Sequence, residues 1–302
     1  MMWISYIKGF EAYLKLEKSL SQNSIEAYIG DVEKLTQYLE YIKTEISPDK
    51  IEPKHLHDFI KWINQLGMSA ASQARVISGI RGFYKYLILE NIIKNNPTEL
   101  LDSPKIGRKL PDVLSIEEID QLLAAIDLSK SGGERNKAII ETIYGCGLRV
   151  SELINLKISN ISFTTGFIKI VGKGNKERMV PIGNSALKQI KIYSNNVRVH
   201  LDIKKGHEDF LFLNRNGRKL TRVMIFTIIK DLTKKIGLKK NIHPHTFRHS
   251  FATHLIDGGA DLRAVQEMLG HESITTTEIY THLDREYLRD TIIRFHPRSN
   301  RK

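Results

Sequence analysis

The first hundred residues carry a helical rhythm of apolar positions. Ile25, Ile29, Val32, Leu35, Leu39 and Ile42 recur at three- and four-residue steps, one face of a helix. Asn23 followed by Glu26 has the spacing of a capping box and is expected to start it. A later stretch, from about Ala70 to Glu90, places Ile77, Ile80, Tyr84 and Leu87 on one apolar face. Elsewhere on it lie Ser72, Gln73, Arg75, Ser78, Gly79, Arg81 and Gly82, with no acidic residue between Ser69 and Leu89. Small residues inside a helix cost stability but admit a close neighbour. That neighbour is either a packed helix, the commoner case, or a phosphate chain.

The rhythm breaks at residues 102–112, DSPKIGRKLPD, where prolines, a glycine and charges cluster as in a linker. Ser115 with Glu118 then restarts a helix through a second capping-box pattern. Three segments are therefore expected: a helical domain over 1–105, a linker over 106–112 and a second domain over 113–302. In the second domain FIKIVGKGNKERMVPI (167–182) alternates about a glycine-rich turn, as a β-hairpin does. DFLFLNRNGRKL (209–220) reads as a shorter strand and turn, and 244–257 and 261–270 read as helices. The expected fold is mainly α with a small β-sheet, an all-helical first domain followed by an α+β second one.

Charge sharpens this division. The 302 residues carry a formal net charge of +12. Residues 1–105 hold 13 basic and 13 acidic side chains, so the whole excess lies beyond them. An excess of that sign attracts polyanions, either nucleic acid or an acidic membrane surface. Cys146 is the single cysteine, which excludes an internal disulfide and fits a reducing compartment. The first residues lack a signal-peptide pattern, and no apolar run approaches the ~18–20 residues of a membrane span. A cytoplasmic protein with no membrane partner is expected.

Reactive residues fall in five short stretches. In GCGLRVSELINL (145–156), Arg149 and Glu152 stand three apart on a helix. They form either an ordinary surface ion pair or a guanidinium steadied by a carboxylate while its planar fork grips a phosphate. VGKGNKER (171–178) sets Lys173 between Gly172 and Gly174 at the hairpin tip, a solvated turn or a mobile ammonium. HPHTFRHSFATHL (243–255) holds His243, His245, Arg248, His249 and His254. His245 and His249 stand at i and i+4, but the HExxH glutamate is missing and no metal set is expected. The other reading is a base, His245, and a second phosphate-gripping arginine, Arg248, sharing a turn opened by Pro244. LGHES and TTTEIYTHL bring His271 and Tyr280. Each alone is most often a packing residue. As a set, two arginines, a lysine, two histidines and a tyrosine fit one reaction, phosphoryl transfer without a metal or other cofactor. The arginines meet the charge on the non-bridging oxygens, a histidine and an ammonium move protons, and the phenol serves as a covalent nucleophile.

GLRVSEL, GKGNKER, HPHTFRHSFATHL, LGHESITTTEIYTH and a closing HPR, in that order, resemble the blocks of the tyrosine recombinase (phage integrase-like) family, and within it the Xer recombinases. The resemblance implies a SAM-like helical core-binding domain and a catalytic domain that clamp double-stranded DNA. It implies Arg149 and Arg248 on the phosphate, Lys173 as general acid, His245 as base or proton shuttle, and His271 at a position held by histidine or tryptophan. Glu152 would support the arginines and Tyr280 would be the nucleophile. Ser72, Gln73, Arg75 and Arg81 on the 70–90 helix, with Lys176 and Arg178 of the hairpin, are the expected DNA contacts. The resemblance further implies a tetramer on DNA, of one chain or with a paralogous recombinase, and a septum-located DNA translocase as partner. A tail over 285–302 would dock on a neighbour through Leu288, Ile292 and Phe295; the alternative is a helix folded back on its own domain. A mobile-element integrase and a type IB topoisomerase-like relaxing enzyme share the same chemistry.

Overall fold

A computed structural model describes residues 2–104, 107, 112–172, 176–270 and 282–299. The chain divides into two compact units, Met1–Lys109 and Leu110–Lys302.

The first unit is four helices: α1 (Met2–Leu16), α2 (Gln22–Tyr41), α3 (Pro53–Gln65) and α4 (Ala70–Leu89). Their apolar faces close on a core containing Phe10, Val32, Leu35, Leu56, Phe59, Ile63, Val76, Ile80 and Phe83. The capping box predicted at Asn23 and Glu26 does not form. Ser21 holds the extended N-cap conformation, with φ −67° and ψ 151°, and Asn23 falls inside the first turn. The glycines of α4 serve packing. A Cβ on Gly79 would stand 2.6 Å from a carboxylate oxygen of Asp31 on α2, and one on Gly82 would stand 3.2 Å from the Tyr28 ring.

The second unit opens with α5 (Ile116–Ala124), whose capping box is complete. The Ser115 N–H donates to Glu118 Oε2 at 2.7 Å, and the Glu118 N–H donates to Ser115 Oγ at 3.2 Å. Next come α6 (Gly133–Gly145) and α7 (Val150–Ile154), then a three-stranded antiparallel sheet in the order β1 (Ile161–Ser162), β2 (Phe167–Val171), β3 (Glu177–Pro181). The predicted hairpin is β2–β3, with Ile170 opposite Arg178. Five helices complete the unit: α8 (Asn184–Asn196), α9 (Arg222–Lys235), α10 (Pro244–Asp257), α11 (Leu262–Leu269) and α12 (His282–Phe295). Their core includes Ile139, Ile140, Ile143, Leu153, Ile168, Val180, Phe247 and Phe251. The strand and turn expected over 209–220 is reduced to two isolated bridges, Lys157 with Phe210 and Leu213 with Lys219. Leu211, Phe212 and Leu213 are all buried, so this run fills the core without adding a strand to the sheet.

The last helix lies on its own unit in the single chain. Leu288 and Ile292 of α12 are buried in the core of their own unit, and Phe295 packs against it. Arg298 then reaches back to the carboxylates of Glu141 on α6 and Asp120 on α5. An apolar stripe must be covered by something, and in the single chain its own unit is the nearest cover.

Candidate active site

The turn between α6 and α7 sets the position of the first arginine. Gly147 has φ +57°, and a Cβ there would lie 2.5 Å from the Phe251 ring, so the turn requires glycine on both counts. Arg149 follows at the N-cap of α7, and Glu152 sits one turn in. The Arg149 N–H donates to Glu152 Oε2 at 2.8 Å, and Arg149 Nη1 donates to Oε1 at 2.9 Å. The Glu152 side chain is only 3% exposed, which rules out the surface ion pair.

A second guanidinium meets the same carboxylate. Arg178 of β3 donates from Nη1 to Oε1 at 2.8 Å and from Nη2 to Oε2 at 2.9 Å, a two-point fork. Arg248, on the second turn of α10, brings Nη1 to 4.0 Å from Oε2. Three guanidiniums therefore surround one buried carboxylate. Burial pushes the Glu152 carboxyl up, but the hydrogen bonds and charge of Arg178, followed by those of Arg149, outweigh it and hold the group below the usual carboxylate range. Burial, then the positive charge of Arg149, pushes the Arg248 guanidinium down to about 10 despite Glu152. It remains charged at neutral pH.

The same arginines hold three consecutive carbonyls at the end of α11. Arg178 Nε donates to Met268 O at 2.9 Å, Arg248 Nη2 donates to Leu269 O, and Arg149 Nη2 donates to Gly270 O at 3.3 Å. Arg248 Nη1 also donates to Gly147 O at 2.8 Å. Last-turn carbonyls lack helical partners and carry the negative end of the helix dipole, so cations suit them. Gly270 ends the helix at φ +65°, and a Cβ there would stand 3.0 Å from Arg178 Cδ. Glycine at this position lets the arginine pass.

His245 lies in the first turn of α10, with Pro244 at its opening, and is exposed. Desolvation, then the charges of His243, Arg248 and Arg149, lower its pKa. Both the burial and the charge of the two arginines disfavour the protonated imidazole. His254, two turns further along α10, is bonded elsewhere: its Nδ1 lies 2.7 Å from Tyr144 Oη. Among the described residues no group of three or more His, Cys, Asp or Glu could hold a metal ion. Lys173, His271 and Tyr280 lie outside the described residues.

Two of the expected DNA contacts need correction. Arg178 is 8% exposed in its side chain and committed to Glu152 and Met268, so it faces the interior and not a duplex. Its role was legible in the strand's alternation, because Val180 two residues on faces the core and Arg178 shares that face. Gln73 is 6% exposed and donates to Asn64 Oδ1 and Met68 O, tying α4 to α3 and the turn between them. The others remain on the surface. Ser72 and Lys176 are exposed. Arg75 is half exposed while paired with Asp31 at 2.7 Å, and Arg81 is exposed while donating to Ser103 and Leu101 O.

Residues 112–286 match the phage integrase family, and residues 7–91 match the phage integrase N-terminal SAM-like domain. The chain belongs to the phage integrase family and is a site-specific tyrosine recombinase, a DNA strand-exchange enzyme. Within that family it is Xer-like. It is 43% identical over 293 residues to the tyrosine recombinase XerD of Staphylococcus haemolyticus, covering 97% of this chain and 99% of the relative. It is 44% identical over 296 residues to XerD of Oceanobacillus iheyensis, covering 97% and 98%. Among solved structures it resembles the XerH site-specific recombinase bound to its difH substrate, with TM-score 0.70, 25% identity and 89% of each chain covered. The mainly helical fold with a small sheet is the fold of these recombinases.

Proposed function

We propose that this enzyme cuts and rejoins double-stranded DNA through a 3′-phosphotyrosyl bond to Tyr280. The observation that carries the reading is the convergence of Arg149 and Arg248 on one buried carboxylate, with His245 in the first turn of the helix that carries Arg248. Two guanidiniums so placed meet the two non-bridging oxygens of a phosphodiester, where charge accumulates as a fifth oxygen bonds to phosphorus. The Tyr280 oxygen attacks phosphorus while its proton passes to His245. The bond to the 5′-oxygen breaks, and the Lys173 ammonium supplies the proton that leaves a free 5′-hydroxyl. His271 completes the contacts to the phosphate. The phenol has a pKa of ~10 and needs this help at neutral pH. The energy of the broken ester is kept in the covalent link, so rejoining requires no nucleotide.

The Xer-like relatives support resolution of chromosome dimers at short, roughly palindromic sites in the cytoplasm. On this reading four protomers assemble on two sites, as one chain or with a paralogous recombinase, and a septum-located DNA translocase triggers exchange. A nicked duplex that loses the fragment beyond the cleavage point tests the chemistry. The wild-type chain should accumulate a covalent adduct mapping to Tyr280, and Tyr280→Phe should bind the same duplex and trap none. An adduct on another residue, or none from the wild-type chain under conditions of full binding, would refute the assignment.

A further inference from the structure

Arg178 is the strongest unexplained feature of the site. It is a buried cation that touches no surface and is not among the expected catalytic groups. Its position within the guanidinium cluster nevertheless gives it control of the cluster's charge. Glu152 carries one negative charge and has three guanidiniums around it. Arg178 takes both carboxylate oxygens in a fork, whereas Arg149 shares only Oε1 through its side chain and Arg248 stands off at 4.0 Å. Among the described residues, the Nη groups of Arg149 and Arg248 that are not on Glu152 hold backbone carbonyls at Gly147, Leu269 and Gly270. Such neutral acceptors are weaker partners than an anionic oxygen and are readily exchanged for one.

We propose that Arg178 is a positioning residue that neutralises Glu152 so that Arg149 and Arg248 keep two unspent positive charges for the scissile phosphate. This deepens the recombinase reading and rests on it. A phosphodiester carries one negative charge and its five-coordinate transition state approaches two, so the intact cluster matches the transition state in charge. Without Arg178 the carboxylate must turn to Arg149 or Arg248 for its counter-ion. One net positive charge is lost, and one guanidinium is drawn from the phosphate towards Glu152. The contact from Arg178 Nε to Met268 O holds its fork in place, and the passage beside Gly270 leaves room for it.

The charge argument separates this role from simple bracing. Arg178→Met should slow single-turnover cleavage of the nicked duplex by on the order of 100-fold. It should also weaken binding of inorganic phosphate at fixed ionic strength by roughly 10-fold. Adding Glu152→Gln removes the stranded carboxylate, restores the net charge of the pair and should recover most of both losses. Arg178→Lys keeps the charge without the fork and should hold phosphate affinity close to wild type. A brace predicts the opposite order, with the double variant no better than Arg178→Met and phosphate affinity unmoved by either. That outcome would overturn the proposal. If Arg178→Met fails to fold, the double variant and Arg178→Lys decide the matter on phosphate affinity alone. A wild-type chain that forms no adduct would refute the Tyr280 reading, while the order of phosphate affinities would still decide the role of Arg178.

Discussion

Arg149 and Glu152 are joined twice, through the backbone N–H to Oε2 at 2.8 Å and through Nη1 to Oε1 at 2.9 Å. The first bond fixes the carboxylate to the start of α7. The second fixes the guanidinium to the carboxylate, so the arginine is oriented before any phosphate arrives. Preorganisation of this kind removes a reorganisation cost from the reaction itself.

Glu152→Gln in the otherwise intact chain should be costly in stability. It leaves the Arg178 guanidinium, 8% exposed, without its counter-ion. Removing one partner of a buried ion pair costs about 3–5 kcal/mol. Chemical denaturation should show a loss of that size, and a loss under about 1 kcal/mol would mean that solvent or rearrangement satisfies Arg178.

Arg149→Ala and Arg248→Ala should each lower cleavage by about 10²–10³-fold, the cost of losing one preorganised donor. Affinity for the duplex should fall far less, because most of it comes from other phosphate contacts. Single-turnover cleavage beside a binding titration reads both. Near-normal cleavage in either variant would remove that arginine from the scissile phosphate.

Acidification should destabilise the second unit through His296. Its ring is 4% exposed, packs against Tyr144 and Phe251, and accepts the Arg298 N–H at Nδ1, while Nε2 has no partner among the described residues. Burial, then His254 and Arg298, pushes it down from 6.5 to about 3. The unfolded chain binds this proton below about pH 6.5 and the folded chain does not. Stability is thus fully present above that pH and is lost as pH falls towards about 3, by roughly 5 kcal/mol at most. His296→Phe keeps a ring in place and removes the titration. Its melting temperature should fall less steeply between pH 6.5 and 4 than that of the wild type, and parallel curves would exclude His296 as the source.

Binding to duplex DNA should weaken steeply with salt, since Lys and Arg contacts displace condensed counterions. Cleavage should survive EDTA at constant ionic strength, because guanidiniums supply the positive charge on the phosphate. Binding insensitive to salt would contradict a clamp of basic side chains. Cleavage abolished by chelation and restored by magnesium would indicate a nuclease.

Much of the molecule is legible without coordinates because its signals are local. Helical periodicity places α2 and α4, the Ser115–Glu118 pattern opens α5, Pro244 opens α10, and glycine-punctuated alternation marks the β2–β3 hairpin. Each follows from backbone geometry over fewer than about twenty residues. The ordered motifs likewise single out Arg149, Glu152, His245 and Arg248. Tertiary structure decided what those side chains face. The alternation of β3 turns Arg178 inward, but only the folded sheet brings it onto Glu152, 26 positions away. Gln73 turns into its own unit, and the stripe on α12 is covered by its own unit in the single chain. Only packing brings β3 and α7 together with α10 and the end of α11, about 90 to 120 positions further along the chain. The charge balance of the site exists only once they meet, because Coulomb interactions depend on separation in space and on the low-polarity surroundings that burial creates.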